Sequence, residues 1–374
     1  MSHPDAAADA ALVAQLRDFL HDELPHFKAE FGERTDFAAC RSWHRRLDRG
    51  GWVGLNWPTE YGGRNVNLAT QVACETELST AGAPQIAGFI GVNTVAAALM
   101  AWGSVEQKSA LPRVRSGELL YCQGFSEPEA GSDLASLRTR VERRGDRLML
   151  TGQKVWTSHG LEADACLVLA RSTPAGDGGR SHRGLSVLLV PLDLPGITVS
   201  PIRQITGQSE FSEIFFDGAE LPISALVGPL DEGWKVAMST LAHERAAAMI
   251  LAARTRAAVR STLATNAPLP MARRDDALRL LVDAEVLGLL AERSIAEIGA
   301  GHPGPAQSVV KLAWSRVDQR LAELSYHLAG PKAIAGEAPA VTEALLFSRS
   351  STIAAGTTEV MQTILSEQVL GLPR

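Results

Sequence analysis

The sequence contains few cysteines and no pairing pattern among them. Its four cysteines are far apart along the chain and form no C-x-x-C pair. They are Cys40, Cys74, Cys122 and Cys166. Neither a zinc cluster nor a disulfide framework is therefore indicated, and no bound metal is expected. Such cysteine usage fits the reducing cytosol, so we expect a cytoplasmic protein.

The chain also lacks the marks of a nucleic-acid-binding, secreted or membrane-spanning protein. Its 36 basic and 42 acidic residues give a net charge of −6, and no lysine-arginine run is present, so nucleic acid is not an expected partner. The N-terminus has no basic segment followed by an apolar one. The most apolar stretch, 86–102, is shorter than the ~20 residues that span a bilayer. We expect a buried helix there and no membrane association.

The composition and the periodicity indicate a folded chain of two or three subdomains. It has 374 residues, of which 45% are hydrophobic and 21% charged. Helical spacing dominates as far as Gly117, short β-rich runs follow from Leu119, and helical spacing returns after Gly233. This helix–β–helix order predicts an α+β fold. The predicted domains are an N-terminal helical domain over 1–118, a middle β domain over 119–230 and a C-terminal helical domain over 231–374.

Several element boundaries are predicted within these domains. The first helix should cover 9–27, with Pro25 near its end. A later helix should begin after the N-cap Ser104 and end at Gly117. The middle domain should be an antiparallel barrel or sandwich of about a hundred residues. The last domain should contain four helical segments, which are 233–263, 275–299, 306–328 and 341–370.

The stretch from Tyr121 to Gly160 carries the strongest chemical pattern. Its first part is rich in Ser, Pro, Gly and Asp, so it predicts a loop whose backbone N–H groups can face a ligand. Its last part predicts a strand that carries Trp156, Thr157 and Ser158, an indole beside hydroxyls that could cover a flat ring system. On composition alone, an ordinary turn followed by a strand with a core tryptophan explains the same residues.

Six separated motifs resemble those of the acyl-CoA dehydrogenase family, in the family's order. They are "NWPTEYGG", "GFSEPEAGSDL", "GQKVWTSHG", "FSEIFFDGAELP", "GWKVAMSTLAHER" and "AGTTEV…LGLPR". The resemblance covers nearly the whole chain. It implies an N-terminal helical domain, a middle β-barrel or sandwich and a C-terminal four-helix bundle. It also implies FAD as the cofactor and oxidation of the α,β bond of an acyl thioester.

The resemblance further implies where the catalytic base lies. In this family a glutamate removes the α proton, and burial must raise its pKa for that task. The commoner position of that glutamate is occupied here by Ala355, which cannot accept a proton. The second position, before the arginine of the first C-terminal helix, is Glu244. An exposed Glu244 that only pairs with an arginine is the alternative.

Other site residues are carried over from the family motifs. The predicted FAD-binding residues are Phe125, Ser126, Gly131, Ser132, Trp156, Ser158, Gly356, Thr357 and Glu359. Ser158 falls where the family often has the threonine that reaches flavin N5. Thr357 could also be a simple helix N-cap. The predicted substrate-binding residues are Ser132, Arg245 and Ala355, the last through its backbone N–H.

The chain departs from the family in two segments. In the homotetrameric members of the family, these segments bind the AMP half of FAD. The R-x-x-F-G and G-G-x-G segments appear here as "RSTLATNAPLPMARRDDALRLL" and "HLAGPKAIAG", and neither matches well. This resembles bacterial members in which two unlike subunits share FAD sites. Arg273 or Arg274 could replace the missing arginine, or both could belong to a solvated basic turn.

These resemblances lead to one preferred function and three alternatives. The preferred function is an FAD-dependent acyl-CoA dehydrogenase that passes electrons to an electron-transfer flavoprotein, as a homotetramer or an α2β2 heterotetramer. The alternatives are a subunit whose FAD site is completed by a partner chain, a dehydrogenase of acyl-carrier-protein thioesters, and an oxidase or monooxygenase of the same fold. Branched, long or polycyclic acyl groups are favoured by family analogy.

Overall fold

The computed structural model describes two units, each assembled from separate stretches of the chain. The terminal unit comprises Met1–Glu33, Asn65–Pro84 and Arg245–Arg374, and the central unit comprises Arg34–Arg64 and Gln85–Glu244. The described backbone covers residues 6–32, 34, 36–174, 182–301 and 306–373; the side chains of residues 6–8, 242–246 and 306 fall outside the description.

Twelve α-helices lie within the described residues. They are α1 (Ala6–Phe31), α2 (Phe37–Arg49), α3 (Leu68–Thr80), α4 (Ala96–Trp102), α5 (Val105–Ser109), α6 (Leu111–Arg115), α7 (Gly233–Thr265), α8 (Arg274–Gly299), α9 (Ala306–Ala329), α10 (Pro331–Ile334), α11 (Pro339–Phe347) and α12 (Thr358–Gln368). Within the part of the chain that the structure describes, none of these helices has the length and apolarity needed to span a membrane.

The terminal unit is a helical assembly in which α8 packs along α9 and α1 packs on α3. Its core contains Met249, Ala252, Leu280, Leu287 and Val310, all almost fully buried. The helix α1 continues beyond Pro25 to Phe31, because Leu24 and Phe27 are buried on either side of the proline. Burial of such side chains, worth ~1.5–3 kcal/mol each, offsets the backbone hydrogen bond that proline cannot make.

Two predicted helices are divided in the structure. Ser104 is an N-cap, as predicted, and forms a capping box with Gln107. However, the helix that it begins is interrupted between α5 and α6, since Pro112 has no N–H to donate to the carbonyl one turn earlier. The last predicted segment, 341–370, is likewise two helices, α11 and α12, separated by a 3₁₀ turn at Ser348–Thr352 and an irregular segment.

The central unit contains one eight-stranded sheet. Its strands are β1 (Tyr121–Gly124), β2 (Arg140–Arg144), β3 (Arg147–Ser158), β4 (Ala165–Arg171), β5 (Leu185–Pro191), β6 (Ile197–Ile202), β7 (Phe211–Pro222) and β8 (Leu226–Val227). The order is β6-β7-β3-β2-β4-β5-β8, and β1 pairs with β4. The predicted α+β class, with a middle β domain between helical regions, is confirmed.

The sheet is mainly antiparallel, as predicted, but β1 and β2 each pair with β4 in parallel, β2 only at Arg140 and Arg171. The strand β1 runs parallel to β4, with Cys122 opposite Cys166. A parallel pair needs a long crossover, and here β2 and β3 provide it. The sequence pattern did not predict β1 or β2. The strand β2 consists mostly of charged residues, so it has little of the apolar alternation that marks a half-buried strand.

A buried histidine connects α2 with two loops of the central unit. His44 Nε2 lies 2.8 Å from the Arg115 carbonyl oxygen, and the Gly88 amide donates to His44 Nδ1 at 3.3 Å. Because a carbonyl only accepts and an amide N–H only donates, Nε2 carries the proton and the ring is neutral. Burial lowers the pKa of His44 below its usual value of 6.5.

We predict that His44 makes stability depend on pH. Because the pKa of His44 is lower in the folded state, its contribution is complete above ~6.5 and is lost as the pH falls toward the folded pKa. The urea-derived free energy of unfolding should therefore fall from pH 7 to 5, with His44 responsible for up to about 1.4 kcal/mol per pH unit. A His44→Gln variant should be less stable at pH 7 and show a shallower slope. An unchanged slope would contradict the prediction; the exposed His26→Gln serves as the control.

Candidate functional site

The loop that follows β1 is held by one backbone hydrogen bond to β3 and by two within the loop itself. The Val155 amide donates to the Ser126 carbonyl at 3.0 Å, and Glu127 and Ala130 exchange two backbone hydrogen bonds of 3.1 Å. Phe125 is buried and Ser126 is half-buried. The base of the predicted ligand-binding loop is therefore fixed on the sheet.

A buried ion pair lies directly beneath this loop. Lys154 Nζ donates to Glu127 Oε1 at 2.8 Å and to the Phe125 carbonyl at 3.0 Å. The Glu127 carboxylate also accepts the amides of Arg138 and Thr139, at 2.7 and 2.9 Å. One carboxylate thus fixes both ends of the loop. Both partners are almost fully inaccessible to solvent.

The pKa values of this pair are set by burial and by the pairing itself. Burial alone would raise the pKa of Glu127, but the Lys154 ammonium and the hydrogen bonds lower it below its usual value. Burial lowers the pKa of Lys154, and Glu127 opposes this change. Sequence reasoning did not identify either residue. The signal available was weak, since Glu127 lies in a polar loop that also contains Glu129, and Lys154 follows Gln153 on its strand.

The tip of the loop is open, in contrast to its base. Gly131 and Ser132 are exposed, and a Cβ built on Gly131 would have no heavy atom of another residue within 4 Å. Neighbouring protein does not explain a glycine there. The open side leaves room for a ligand to approach the backbone closely.

A bulge in β3 turns one tryptophan out of the sheet. The register of β3 against β7 shifts between Lys154 and Thr157, and Trp156 has a φ of +61°. The indole is 59% exposed and meets Phe211 edge to face, with ring centroids 6.1 Å apart. The interpretation of Trp156 as a core tryptophan is therefore wrong. An exposed indole face can stack on a flat ring.

The hydroxyls beside Trp156 separate into two environments. Ser158 is half-buried, whereas Thr157 is fully buried. The expectation that Trp156, Thr157 and Ser158 all line a ligand site is therefore wrong for Thr157. The bulge and the alternation of the strand turn its side chain inward. The Thr157 hydroxyl has no hydrogen-bond partner among the described residues.

The C-terminal motif forms a turn before α12, in the terminal unit. Ala355 and Gly356 both have positive φ, +53° and +94°. The left-handed region costs a residue with a side chain roughly 1–2 kcal/mol. Thr357 is the N-cap of α12 and accepts the Val360 amide at 3.2 Å, so its alternative role as a helix cap is confirmed. Glu359 is exposed in the first turn of the same helix.

Three polar residues of α9 contact the backbone or side chains of this C-terminal segment. Lys311 Nζ donates to the carbonyls of Ser351 and Gly356, at 3.0 and 2.7 Å. Asp318 accepts the Ser351 hydroxyl at 2.6 Å, and Gln319 Nε2 donates to the Ser348 carbonyl. Burial lowers the pKa of Lys311 and raises that of Asp318. Sequence reasoning missed all three, since amphipathic helices often carry such residues on a solvated face.

The predicted base lies outside the described side chains. Glu244 and Arg245 are part of α7, but their side chains are among those that the structure does not describe. Their roles remain predictions. Among the described residues, no group of three or more His, Cys, Asp or Glu side chains could hold a metal ion.

Each unit, taken by itself, has groups that suit a ligand, and the two sets together are of the kinds that a flat, anionic cofactor needs. The central unit presents an exposed indole and a loop with an open glycine. In the terminal unit, the amide N–H groups of Ala355 and Gly356 donate no hydrogen bond to any residue the structure describes. Exposed aromatic faces bind flat rings, and free backbone N–H groups bind anions or carbonyl oxygens.

Comparison with protein families gives three matches in sequence order. The family model "Acyl-CoA dehydrogenase, N-terminal domain" matches residues 7–118. The corresponding middle-domain and C-terminal-domain models match residues 122–219 and 231–370. Together the three matches leave only short connecting and terminal stretches uncovered.

Individual relatives are similar over the same length. The chain is 39% identical over 376 residues to the acyl-CoA dehydrogenase IpdE1 of Mycobacterium tuberculosis, a match that covers 96% of this chain and 97% of that relative. It is 37% identical over 384 residues to IpdE1 of Mycolicibacterium smegmatis, with the same coverage.

The descriptions of two solved structures with similar folds each name two proteins. One is described as the Tcur3481-Tcur3483 steroid ACAD, with a TM-score of 0.86, 28% identity and full coverage of both chains. The other is the ChsE4-ChsE5 complex from Mycobacterium tuberculosis, with a TM-score of 0.81, 28% identity, and coverage of 100% of this chain and 99% of that one. A glutaryl-CoA dehydrogenase from Mycobacterium smegmatis in complex with FADH2 has a TM-score of 0.77 at 25% identity, with coverage of 98% and 95%.

Proposed function

Because the chain belongs to the acyl-CoA dehydrogenase family, we propose that it oxidises the α,β bond of an acyl thioester with bound FAD. The observation that supports this most is the exposure of Trp156 together with the open side of the loop at Gly131. Both are family motif positions, and both leave room for a ligand. When bound, FAD supplies the hydride acceptor.

The chain's own residues would have distinct roles in this reaction. The loop residues Phe125, Ser126, Gly131 and Ser132 would hold the cofactor through backbone and hydroxyl groups. Trp156 and Ser158 would lie beside its ring system. Gly356, Thr357 and Glu359 would contact it from the C-terminal motif. These assignments come from the family motifs, and the exposed or half-buried positions of most of them are compatible with ligand contact.

The proton transfer would be performed by Glu244. Its carboxylate would take the α proton of the substrate, while the Ala355 N–H donates to the thioester oxygen and stabilises the negative charge that develops there. Arg245 and Ser132 would contact the substrate. Ala355 cannot act as a base, so Glu244 is the family's remaining position for one.

We infer a large acyl group, with a ring system, as the substrate. The base on the first C-terminal-domain helix fits bulky substrates by family analogy, and one similar structure is described as a steroid ACAD. Coenzyme A is the proposed carrier, and an electron-transfer flavoprotein the proposed oxidant. An acyl-carrier-protein thioester, and oxygen as the oxidant, are the alternatives that the experiment below distinguishes.

A second candidate is that this chain shares its FAD sites with an unlike partner subunit. Arg273 pairs with Asp276 and Arg274 donates to the Leu269 carbonyl, so both arginines already have contacts within the turn. Leu278, Val282 and Leu289 are each about 60% exposed along one face of α8. An exposed apolar stripe supports assembly with another chain, and one similar structure is described as the ChsE4-ChsE5 complex.

An anaerobic absorption spectrum tests the proposed function. We expect the purified chain, loaded with FAD, to lose its flavin band when acyl-CoA thioesters with ring-bearing acyl groups are added. Parallel additions of the same acyl groups on an acyl-carrier protein, and of oxygen after reduction, test the carrier and the oxidant. Retained flavin that no thioester reduces would contradict the proposal. A chain that binds FAD only when coexpressed with a related subunit would favour the second candidate.

A further inference from the structure

The turn before α12 leaves two backbone donors available. Ala355 and Gly356 have positive φ, and their amide N–H groups donate no hydrogen bond within the described part of the chain. Ala355 is exposed. A residue with a side chain keeps such a conformation only where surrounding contacts determine it. Other parts of the terminal unit must therefore fix this turn.

Lys311 bonds to both ends of the turn. Its ammonium donates to the Ser351 carbonyl, which precedes the turn, and to the Gly356 carbonyl, which ends it. The side chain is 6% exposed, and no carboxylate pairs with it among the described residues. Hydrogen bonds from a charged donor are the stronger kind, and two of them from one nitrogen restrict the backbone between the two carbonyls.

The other contacts from α9 act only on the earlier part of the segment. Asp318 and Gln319 bond to residues between Ser348 and Thr352. In the described structure, Lys311 is the residue whose side chain hydrogen-bonds to the Gly356 backbone. Its removal should therefore free the second half of the turn while the first half keeps its anchors.

We propose that Lys311 is a positioning residue for the oxidation: through the Gly356 carbonyl it orients the Ala355 N–H toward the thioester oxygen. This inference rests on the proposed function, in which that N–H polarises the substrate carbonyl. A donor aimed at developing charge accelerates the reaction only when it is held in place beforehand. Misplacing such a group by about 1 Å can cost about 100-fold in rate.

The test compares four variants of the full chain loaded with FAD, with its partner subunit where one is needed. Lys311→Met removes the donors but keeps the length, and Lys311→Arg keeps charge and donors. Gln319→Met removes hydrogen bonds from the same segment without touching Gly356, and Lys108→Met changes a half-buried lysine of α5 outside every family motif. The limiting rate of anaerobic flavin reduction and the half-saturating thioester concentration are measured, along with FAD content and melting temperature.

We expect Lys311→Met to lower the limiting rate by about 100-fold with little change in half-saturation. Lys311→Arg should recover most of that rate. Gln319→Met should lower the melting temperature with a much smaller effect on the rate, and Lys108→Met should behave as wild type. If Lys311→Met does not retain FAD, Lys311→Gln, which is shorter than lysine and carries no charge, replaces it and should still lower the limiting rate selectively relative to the wild type.

Two results would overturn the inference while leaving the proposed function intact. One is a wild-type limiting rate in Lys311→Met, and the other is an equal slowing of Lys311→Met and Gln319→Met, which would make both merely structural. A wild-type chain whose flavin no thioester reduces would instead overturn the proposed function, and the role of Lys311 with it.

Discussion

A Glu244→Gln variant should reduce its flavin about 10²–10⁴-fold more slowly than the wild type when mixed anaerobically with substrate. The amide keeps the size of the side chain but cannot accept the α proton. Because the proposed role of Glu244 is confined to proton transfer, FAD content and substrate affinity should change little. Stopped-flow measurement of the flavin band, with a separate titration of a non-reducing product thioester, separates the rate from the affinity.

Two further variants make this test specific to the position of the base. Glu232→Gln alters an exposed glutamate that pairs with Lys235 and should react at the wild-type rate. Adding Ala355→Glu to Glu244→Gln places a carboxylate at the family's commoner position and should restore part of the rate. A Glu244→Gln variant as fast as the wild type would sink the assignment of Glu244.

Breaking the Glu127–Lys154 pair should cost about 3–5 kcal/mol of unfolding free energy. In a Glu127→Ala variant the Lys154 ammonium keeps only the Phe125 carbonyl among the partners found for it, and the amides of Arg138 and Thr139 lose their acceptor. The loop that these bonds close should loosen, so FAD affinity should fall as well. Urea unfolding of the apoprotein and fluorescence titration with FAD measure the two effects separately.

The partner variant and the pH dependence provide the controls. The double variant Glu127→Ala/Lys154→Met should lose much less unfolding free energy than the two single variants lose in sum. The reason is that neutral side chains need no compensating charge. Glu232→Ala, which breaks an exposed pair, should cost no more than about 1 kcal/mol. Because the folded pKa of Glu127 is lowered, its contribution should be present above its unfolded pKa and disappear as the pH falls through the folded value. If the losses of unfolding free energy in the two single variants add up to the loss in the double variant, the result would contradict the proposed role of the pair.

The sequence motifs indicated the family and the order of the elements. Residues close to the ends of the elements indicated some of the boundaries. The helix cap at Ser104 could be predicted, because capping depends on the few residues around it. The family resemblance also selected Trp156, for which composition alone favoured a core position. Its actual exposure depends on a bulge against β7, a partner that is distant in sequence.

Contacts between residues that are far apart in the chain were not predicted from the sequence. The helices α10 and α11 lie between Lys311 and Gly356, and the strand β2 lies between Glu127 and Lys154. No short sequence motif therefore links the two residues of either pair. A buried lysine and an exposed one look alike in sequence, because the distinction is made by the surrounding fold. The parallel pairing of β1 with β4 escaped for the same reason, since strand direction depends on the crossover between them.

The division of the terminal unit into three stretches has a consequence for how the chain acquires its structure during synthesis. The helices α1 and α3 emerge from the ribosome first, yet α3 packs on α8, which emerges only after the whole sheet. The central unit has all of its residues once Glu244 is made. The early helices must meanwhile persist with unburied apolar faces such as that of Val72, which makes the nascent chain a natural client for molecular chaperones.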